Sequence, residues 1–89
     1  MTKPNVIVFG ASTAGKNFLK NQYEYNVLAI ADNDSNKHGE YLNDVLIIPP
    51  NQICDYDYDY IIIASMFIEG ITKQLLEELF IPKEKIIYA

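Results

Sequence analysis

Short apolar runs alternate with polar segments along the chain, and their order predicts an α/β protein. Five runs rich in Val and Ile predict β-strands, at 5–9, 27–31, 45–48, 60–64 and 85–88. Two other stretches, at 13–22 and 66–80, space their apolar residues as one face of an α-helix does. The predicted order is therefore β-α-β-β-β-α-β.

This order predicts a doubly wound parallel sheet. The link between the third and fourth strands, at 49–59, is too short for a full helix. Right-handed crossovers then give a five-stranded parallel sheet of order 3-2-1-4-5, with one main helix on each face. We therefore expect a three-layer, Rossmann-like half fold as a single domain over residues 1–89. Two prolines end the run at 45–48, which suggests an edge strand.

Charge and composition narrow the class of partner. The net charge is −5 and the chain has no arginine, which disfavours nucleic acid as a partner. No apolar run approaches the roughly 20 residues of a membrane-spanning helix, and the N-terminus lacks a secretory pattern. We expect a cytoplasmic protein without membrane insertion, in which the single cysteine, Cys54, is a small buried apolar residue.

The loop GASTAGK, at 10–16, is the main candidate for binding chemistry. Its glycines allow a tight turn, and its backbone N–H groups are expected to meet a diphosphate at the helix N-terminus. The expected phosphate-loop residues are Gly10, Ala11, Ser12, Thr13, Ala14 and Gly15. Ser12 replaces the second glycine of the G-x-G-x-x-G fingerprint. Two alternatives stay open: a P-loop, in which Asn17 stands where Ser or Thr belongs, and glycines that only shape the turn.

Asp32 ends the second strand, where an acid that binds a ribose 2′-OH is expected. In that role it favours NAD over NADP, whereas the alternative is an aspartate that only forms the following turn. Asn33, Ala64 and Ser65 are expected to line the same crevice, because the first and fourth strands end together at the topological switch point. Ser65 is also expected to cap the second helix.

The chain offers no recognisable catalytic or metal-binding set. Its single histidine, His38, lies in a polar loop and is expected to be solvated. The run DYDYDY, at 55–60, alternates carboxylates with tyrosines and matches no metal-ligand spacing. We therefore expect no catalytic and no metal-binding residues, and a domain that is not catalytic on its own.

The predicted helices are too few to cover both faces of a five-stranded sheet. We expect exposed apolar surface near Tyr56, Tyr58 and Phe67. Exposed apolar patches often mark interfaces. The sequence therefore predicts a homodimer, or a domain that docks on a larger enzyme domain.

Four segments together resemble one family: VIVFGASTAGKNFL, VLAIADNDSNKHGEYLNDVLIIPP, YDYIIIASM and IPKEKIIYA. They are similar to a small Rossmann-like nucleotide-binding domain of bacterial surface-polysaccharide enzymes. This domain occurs at the front of capsular-type sugar-nucleotide dehydratases and epimerases, and with sugar acyltransferases and FkbM-type methyltransferases. The positions that match its pattern are Gly10, Ala11, Ser12, Gly15, Asp32, Gly39, Ala64 and Ser65.

The resemblance implies a non-catalytic module that binds NAD, or the nucleotide part of a UDP-sugar, in surface-polysaccharide or sugar-nucleotide metabolism. Three alternatives stay open. The chain could be the cofactor-binding fragment of a sugar-nucleotide epimerase, dehydratase or oxidoreductase. It could instead be a CoA-binding domain, or a docking domain without a ligand.

Overall fold

Residues 2–89, which the computed structural model describes, form six β-strands, two α-helices and three 3-10 turns. The strands are β1 (Asn5–Phe9), β2 (Asn26–Ala31), β3 (Tyr41–Leu42), β4 (Val45–Ile48), β5 (Tyr60–Ile63) and β6 (Ile86–Tyr88). The helices are α1 (Thr13–Asn21) and α2 (Ile68–Glu77), with 3-10 turns at Ser35–Lys37, Pro50–Asp55 and Lys83–Lys85. Within this part of the chain, neither α-helix has the length and apolar character needed to cross a membrane.

The sheet has the order β3-β4-β2-β1-β5-β6. The pairs β4–β2, β2–β1, β1–β5 and β5–β6 are parallel, so the five predicted strands keep the predicted relative order. β3 pairs antiparallel with β4 and forms the edge. The prediction of a five-stranded, all-parallel sheet is therefore wrong in strand number and at this edge, and β4 is an inner strand.

A tight hairpin accounts for the additional strand. Asn43 and Asp44 connect β3 to β4 with φ values of 49° and 65°. Two positive φ values in a two-residue loop are typical of a type I′ turn, which Asn and Asp tolerate. The sequence pattern predicts no strand at residues 41–42, because a two-residue strand is too short to give a hydrophobic period.

The central strands bury side chains on both faces of the sheet. On one face, Val6, Val8 and Ile62 pack with Phe18 and Leu19 of α1. On the other face the strands pack against α2, through Ile7, Phe9, Ile48, Ile61, Ile63, Ile71 and Leu75. Strands covered on both sides are apolar at every position, which explains the unbroken apolar runs in the sequence.

The 3-10 segment Pro50–Asp55 covers the α2 face beside the helix. Ile53 is fully buried there, and Tyr56 and Tyr58 are half-buried against the same cluster. The prediction of exposed apolar surface at these two tyrosines is therefore wrong, because this short segment covers the part of the sheet that a further helix would otherwise cover. Cys54 is exposed, which corrects the prediction of a buried cysteine: its neighbour Ile53 occupies the inward position.

Candidate functional site

The carboxyl ends of β1, β2 and β5 surround a cleft of about 580 Å³. Its lining residues are Phe9, Gly10, Ser12, Asp32, Asn33, Asp34, Lys37, Ser65, Phe67, Gly70, Ile71 and Gln74. The chain leaves β1 toward α1 on one face, and β5 toward α2 on the other. The cleft therefore lies at the topological switch point, where open α/β sheets bind their ligands.

Two glycines shape the β1–α1 loop by leaving no room for a side chain. Gly10 has a φ of 128°, and a Cβ there would overlap the carbonyl oxygen of Ala64. A Cβ at Gly15 would overlap the carbonyl oxygen of Gly10. The loop thus lies directly on the turn after β5, and α1 lies directly on the loop.

The N-terminus of α1 borders the cleft, and its first backbone N–H groups are free to donate hydrogen bonds to a ligand. Ser12 is its N-cap, but the Ser12 hydroxyl makes no capping hydrogen bond, and the first turn holds no acidic residue. The first helical backbone bond runs from Lys16 N to Ser12 O, at 2.9 Å. The N–H groups before it have no intrahelical acceptor, and the helix dipole adds partial positive charge there. Thr13 and Ala14 are exposed.

Asp32 ties the two loops of the cleft together. Its Oδ2 accepts a hydrogen bond from Ala11 N, and its Oδ1 accepts one from Asp34 N, both at 2.8 Å. The second bond is the turn that the alternative interpretation of Asp32 predicts. Each carboxylate oxygen has two lone pairs, so each retains one acceptor site for a ligand hydroxyl. Both predicted roles of Asp32 are therefore compatible with its geometry.

Asn33 and Gln74 form a reciprocal pair of hydrogen bonds across the cleft, which we call the amide clasp. Asn33 Nδ2 donates to Gln74 Oε1 at 2.9 Å, and Gln74 Nε2 donates to Asn33 Oδ1 at 2.8 Å. The clasp links the segment after β2 to α2. It therefore fixes the distance between two walls of the cleft.

Lys37 and His38 extend from the 3-10 turn Ser35–Lys37 back toward the β1–α1 loop. Lys37 Nζ donates to Ala11 O at 3.4 Å. His38 Nε2 lies 2.6 Å from Asp32 O, and since a carbonyl only accepts, Nε2 carries the proton. His38 is half-buried, so the prediction of a solvated histidine is wrong: its ring holds the backbone of Asp32 in place.

The turn after β5 forms the opposite wall. Ala64 is buried, and its N–H donates to Phe9 O at 2.9 Å. Ser65 Oγ accepts from Phe67 N at 3.1 Å and so closes the turn before α2. The N-cap of α2 is Phe67, which corrects the prediction of Ser65 as the cap. The Phe67 side chain is 78% exposed, as predicted.

The cleft brings together five of the predicted site residues: Gly10, Ser12, Asp32, Asn33 and Ser65. Sequence reasoning missed the contribution of α2. Gly70 gave the one usable signal, because glycine inside a helix costs about 1 kcal/mol relative to alanine and so needs a reason. A Cβ at Gly70 would meet nothing within 4 Å, so packing does not require this glycine. No local pattern marks Gln74.

The parallel sheet, the glycine turn before α1 and the acid at the end of β2 define a Rossmann-like α/β domain. The sequence model of a family described as C2185-like, N-terminal, matches residues 2–87, and the chain belongs to this family. A search of curated proteins finds no match.

Solved structures with the same fold include enzymes and regulators. One is UDP-D-quinovosamine 4-dehydrogenase from Vibrio fischeri, with a TM-score of 0.72 and 22% identity over 98% of this chain and 76% of that chain. Another is RSP, a Rex-family repressor, in complex with β-NADH, with a TM-score of 0.67 and 17% identity over 97% of this chain and 52% of that one. RSP in complex with β-NAD⁺ and operator DNA gives a TM-score of 0.68 and 17% identity, over 98% of this chain and 50% of RSP. The chain thus spans about half the length of RSP, and these identities establish the shared fold.

Proposed function

We propose that this domain binds a nucleotide in the cleft, either NAD or the nucleotide part of a UDP-sugar. The observation that carries the proposal is that one cleft combines a helix N-terminus, an acid on β2 and an apolar wall on α2. The diphosphate would lie at the N–H groups of Thr13 and Ala14. The ribose would donate to Asp32, and the base would lie against Phe67 and Ile71.

NAD is the first candidate. The carboxylate of Asp32 would repel the 2′-phosphate of NADP, and the chain has no arginine to offset this repulsion. RSP, which shares the fold, is described in complex with β-NADH. These two points support NAD over NADP.

A UDP-sugar is the second candidate. The V. fischeri neighbour is named as a dehydrogenase of a UDP-sugar, and this chain covers 76% of its length. The sequence resemblance to domains of surface-polysaccharide enzymes points the same way. On this proposal the domain serves sugar-nucleotide metabolism.

The proposed role is binding without catalysis. Three titratable side chains line the cleft: Asp32, Asp34 and Lys37. Both carboxylates accept backbone N–H groups, Asp34 through a 3.0 Å bond from Asn36 N. These bonds hold the loops of the cleft in place, and on this proposal the acceptor sites that Asp32 retains orient a ribose. The alternative, a cofactor-binding fragment of an enzyme, predicts that activity appears when the matching enzyme domain is added.

An amide-correlation NMR titration tests the proposed site with NAD⁺, NADH, NADP⁺, CoA and UDP-GlcNAc in turn. We expect shifts at the amides of residues 10–15, Asp32 and Ser65 for NAD(H) or the UDP-sugar, and weaker ones for NADP⁺. Shifts with CoA alone would instead identify a CoA-binding domain. No shift with any ligand at about 1 mM, an affinity weaker than roughly −4 kcal/mol, would overturn the proposal.

A matched pair of α2 variants locates the binding. Gly70→Leu fills the open space at the cleft, whereas Lys73→Leu adds the same side chain at an exposed position outside the cleft lining. We expect the Gly70 variant alone to lose binding while both stay folded. Equal binding by the two variants would contradict this site.

We also propose that the rim of the cleft is a protein interface, with a second copy of the chain as the expected partner and a larger enzyme domain as the alternative. Met66 is 92% exposed, Phe67 78% and Ile68 43%, and they are consecutive. Exposed apolar residues grouped in this way favour association. Light scattering on the wild type and on Phe67→Ser checks this proposal, since a monomeric wild type would contradict the homodimer.

A further inference from the structure

We propose that Lys37 is the cation that binds the diphosphate of the ligand. This inference rests on the proposed function and deepens it. It makes the ligand a nucleoside diphosphate, or a conjugate of one, without a phosphate on the ribose 2′ position. The argument stands on where the lysine ammonium lies and on the charges around it.

The position of Lys37 is set by a short, well-bonded turn. Asp34 accepts hydrogen bonds from the turn, through Oδ1 from Asn36 N and through its carbonyl oxygen from Lys37 N, both at 3.0 Å. The side chain then runs half-buried along the cleft and reaches Ala11 O, at 3.4 Å from Nζ. A residue that follows β2 thus delivers its ammonium to the loop that follows β1.

The charges of the cleft make this ammonium necessary for a doubly charged ligand. Of the described residues that line the cleft, Asp32 and Asp34 carry negative charge and Lys37 carries the positive one. Two carboxylates repel an incoming diphosphate, and the helix dipole of α1 offers only about half an elementary charge against them. Ser12 also replaces the glycine that would give a phosphate its closest approach to the backbone.

The same geometry disfavours a 2′-phosphate. That group would project past Asp32 toward Asn33, where a dedicated site normally places an arginine. Asn33 is held in the amide clasp, and the ring of His38 is bonded to Asp32 O. Lys37 Nζ donates to Ala11 O, in the loop that follows β1. Lys37 and His38 are thus both bonded to backbone carbonyl oxygens, and the segment offers no arginine for the 2′ position.

Calorimetric titration of the full chain with ADP, UDP, adenosine and uridine tests the assignment. We expect a nucleoside diphosphate to bind the wild type at least about 10-fold more tightly than its nucleoside, the usual value of one charge-assisted hydrogen bond. Lys37→Met should lose about this factor for the diphosphate and leave the nucleoside unchanged. Lys37→Arg should restore it. Lys20→Met, at an exposed lysine in the last turn of α1 outside the cleft lining, should behave as the wild type.

Each contrary outcome has a separate meaning. If Lys37→Met binds the diphosphate as the wild type does, or loses nucleoside and diphosphate equally, the role of Lys37 is wrong while the proposed function stands. If 2′-AMP, titrated separately in the same way, binds the wild type more tightly than ADP does, the assignment of the diphosphate is wrong. If the wild type binds none of the four probes, the proposed function fails and the role of Lys37 fails with it.

Discussion

The cleft has two walls that use glycine in opposite ways. In the glycine-loop wall, residues 10–15, Gly10 and Gly15 each lie against a backbone carbonyl oxygen, so a side chain at either glycine collides with the fold. In the α2 wall, residues 67–74, Gly70 faces open space. A side chain at either glycine of the first wall therefore disturbs the fold, whereas a side chain at Gly70 does not. Variants in the first wall should change stability, and variants in the second should change binding.

The largest effect on stability is expected at the glycine-loop wall. Gly15→Ala places a Cβ on the carbonyl oxygen of Gly10, so α1 must move away from β1. We expect a loss of about 3 kcal/mol or more in the free energy of unfolding, at the upper end of overpacking effects. Urea denaturation followed by circular dichroism measures it. A loss below about 1 kcal/mol would show that this wall also adapts and would remove the contrast between the walls.

Asp32→Ala tests the link between the two loops. It leaves Ala11 N and Asp34 N without their acceptors, and Ala11 is buried. We expect a loss of about 1–3 kcal/mol in the free energy of unfolding, because a buried N–H loses its partner. Asp57→Ala, at an exposed aspartate outside the cleft, is the control and should change stability by less than about 0.5 kcal/mol. Equal losses of stability in the two variants would show that the hydrogen bonds of Asp32 do not hold the two loops together.

Gly70→Ala tests the α2 wall, and here the substitution is expected to raise stability rather than lower it. Since alanine is the better helix former and its methyl group meets nothing, we expect about 1 kcal/mol of added stability. Ligand binding should weaken, because the methyl group narrows the cleft. Gly39→Ala is the matched control: space is open there too, but a φ of 87° makes alanine unfavourable. Thermal unfolding should therefore shift up for the first variant and down for the second.

The amide clasp joins the α2 wall to the segment after β2, and its contribution should be small. Both amides are accessible to water, so the folded state exchanges their mutual bonds for bonds to solvent at little net cost. A double-mutant cycle of Asn33→Ala and Gln74→Ala should give a coupling of about 0.5–1 kcal/mol in stability. Additive effects would show that the clasp does not set the width of the cleft.

Tyr58 provides a reference away from both walls. Burial, and next the repulsion from Cys54, raise the pKa of its phenol above the ordinary 10.0. The folded chain therefore keeps this proton at pH values where the unfolded chain has lost it. The free energy of unfolding should fall as pH rises from about 10 through the folded-state pKa. Tyr58→Phe should flatten that part of the profile in pH-dependent urea titrations. An unchanged profile would contradict the raised pKa.

Much of the parallel framework follows from the sequence because strands buried on both faces leave unbroken runs of Val and Ile. The two cleft residues that end β1 and β2, Gly10 and Asp32, follow from motif spacing. The sequence does not predict the hairpin at Asn43 and Asp44, because the two-residue strand β3 is too short to show a hydrophobic pattern. The α2 wall was missed because its residues meet the cleft only through tertiary structure. Gln74 reaches Asn33 across 41 positions, and no short-range pattern records such a contact.

The two hydrogen-bonded links of the cleft, Ala11–Asp32 and the amide clasp, also differ in how much of the chain must be synthesised before they can form. Ala11 and Asp32 are 21 positions apart, whereas Asn33 and Gln74 are 41 apart. Closing a longer loop costs more chain entropy and slows folding, so the shorter link has the advantage. During synthesis, the bond between Ala11 and Asp32 can form once residue 32 has emerged, whereas Gly10 meets Ala64 only after β5 has followed. The clasp must wait for α2, so the shaping of the pocket is a late event in the life of the nascent chain.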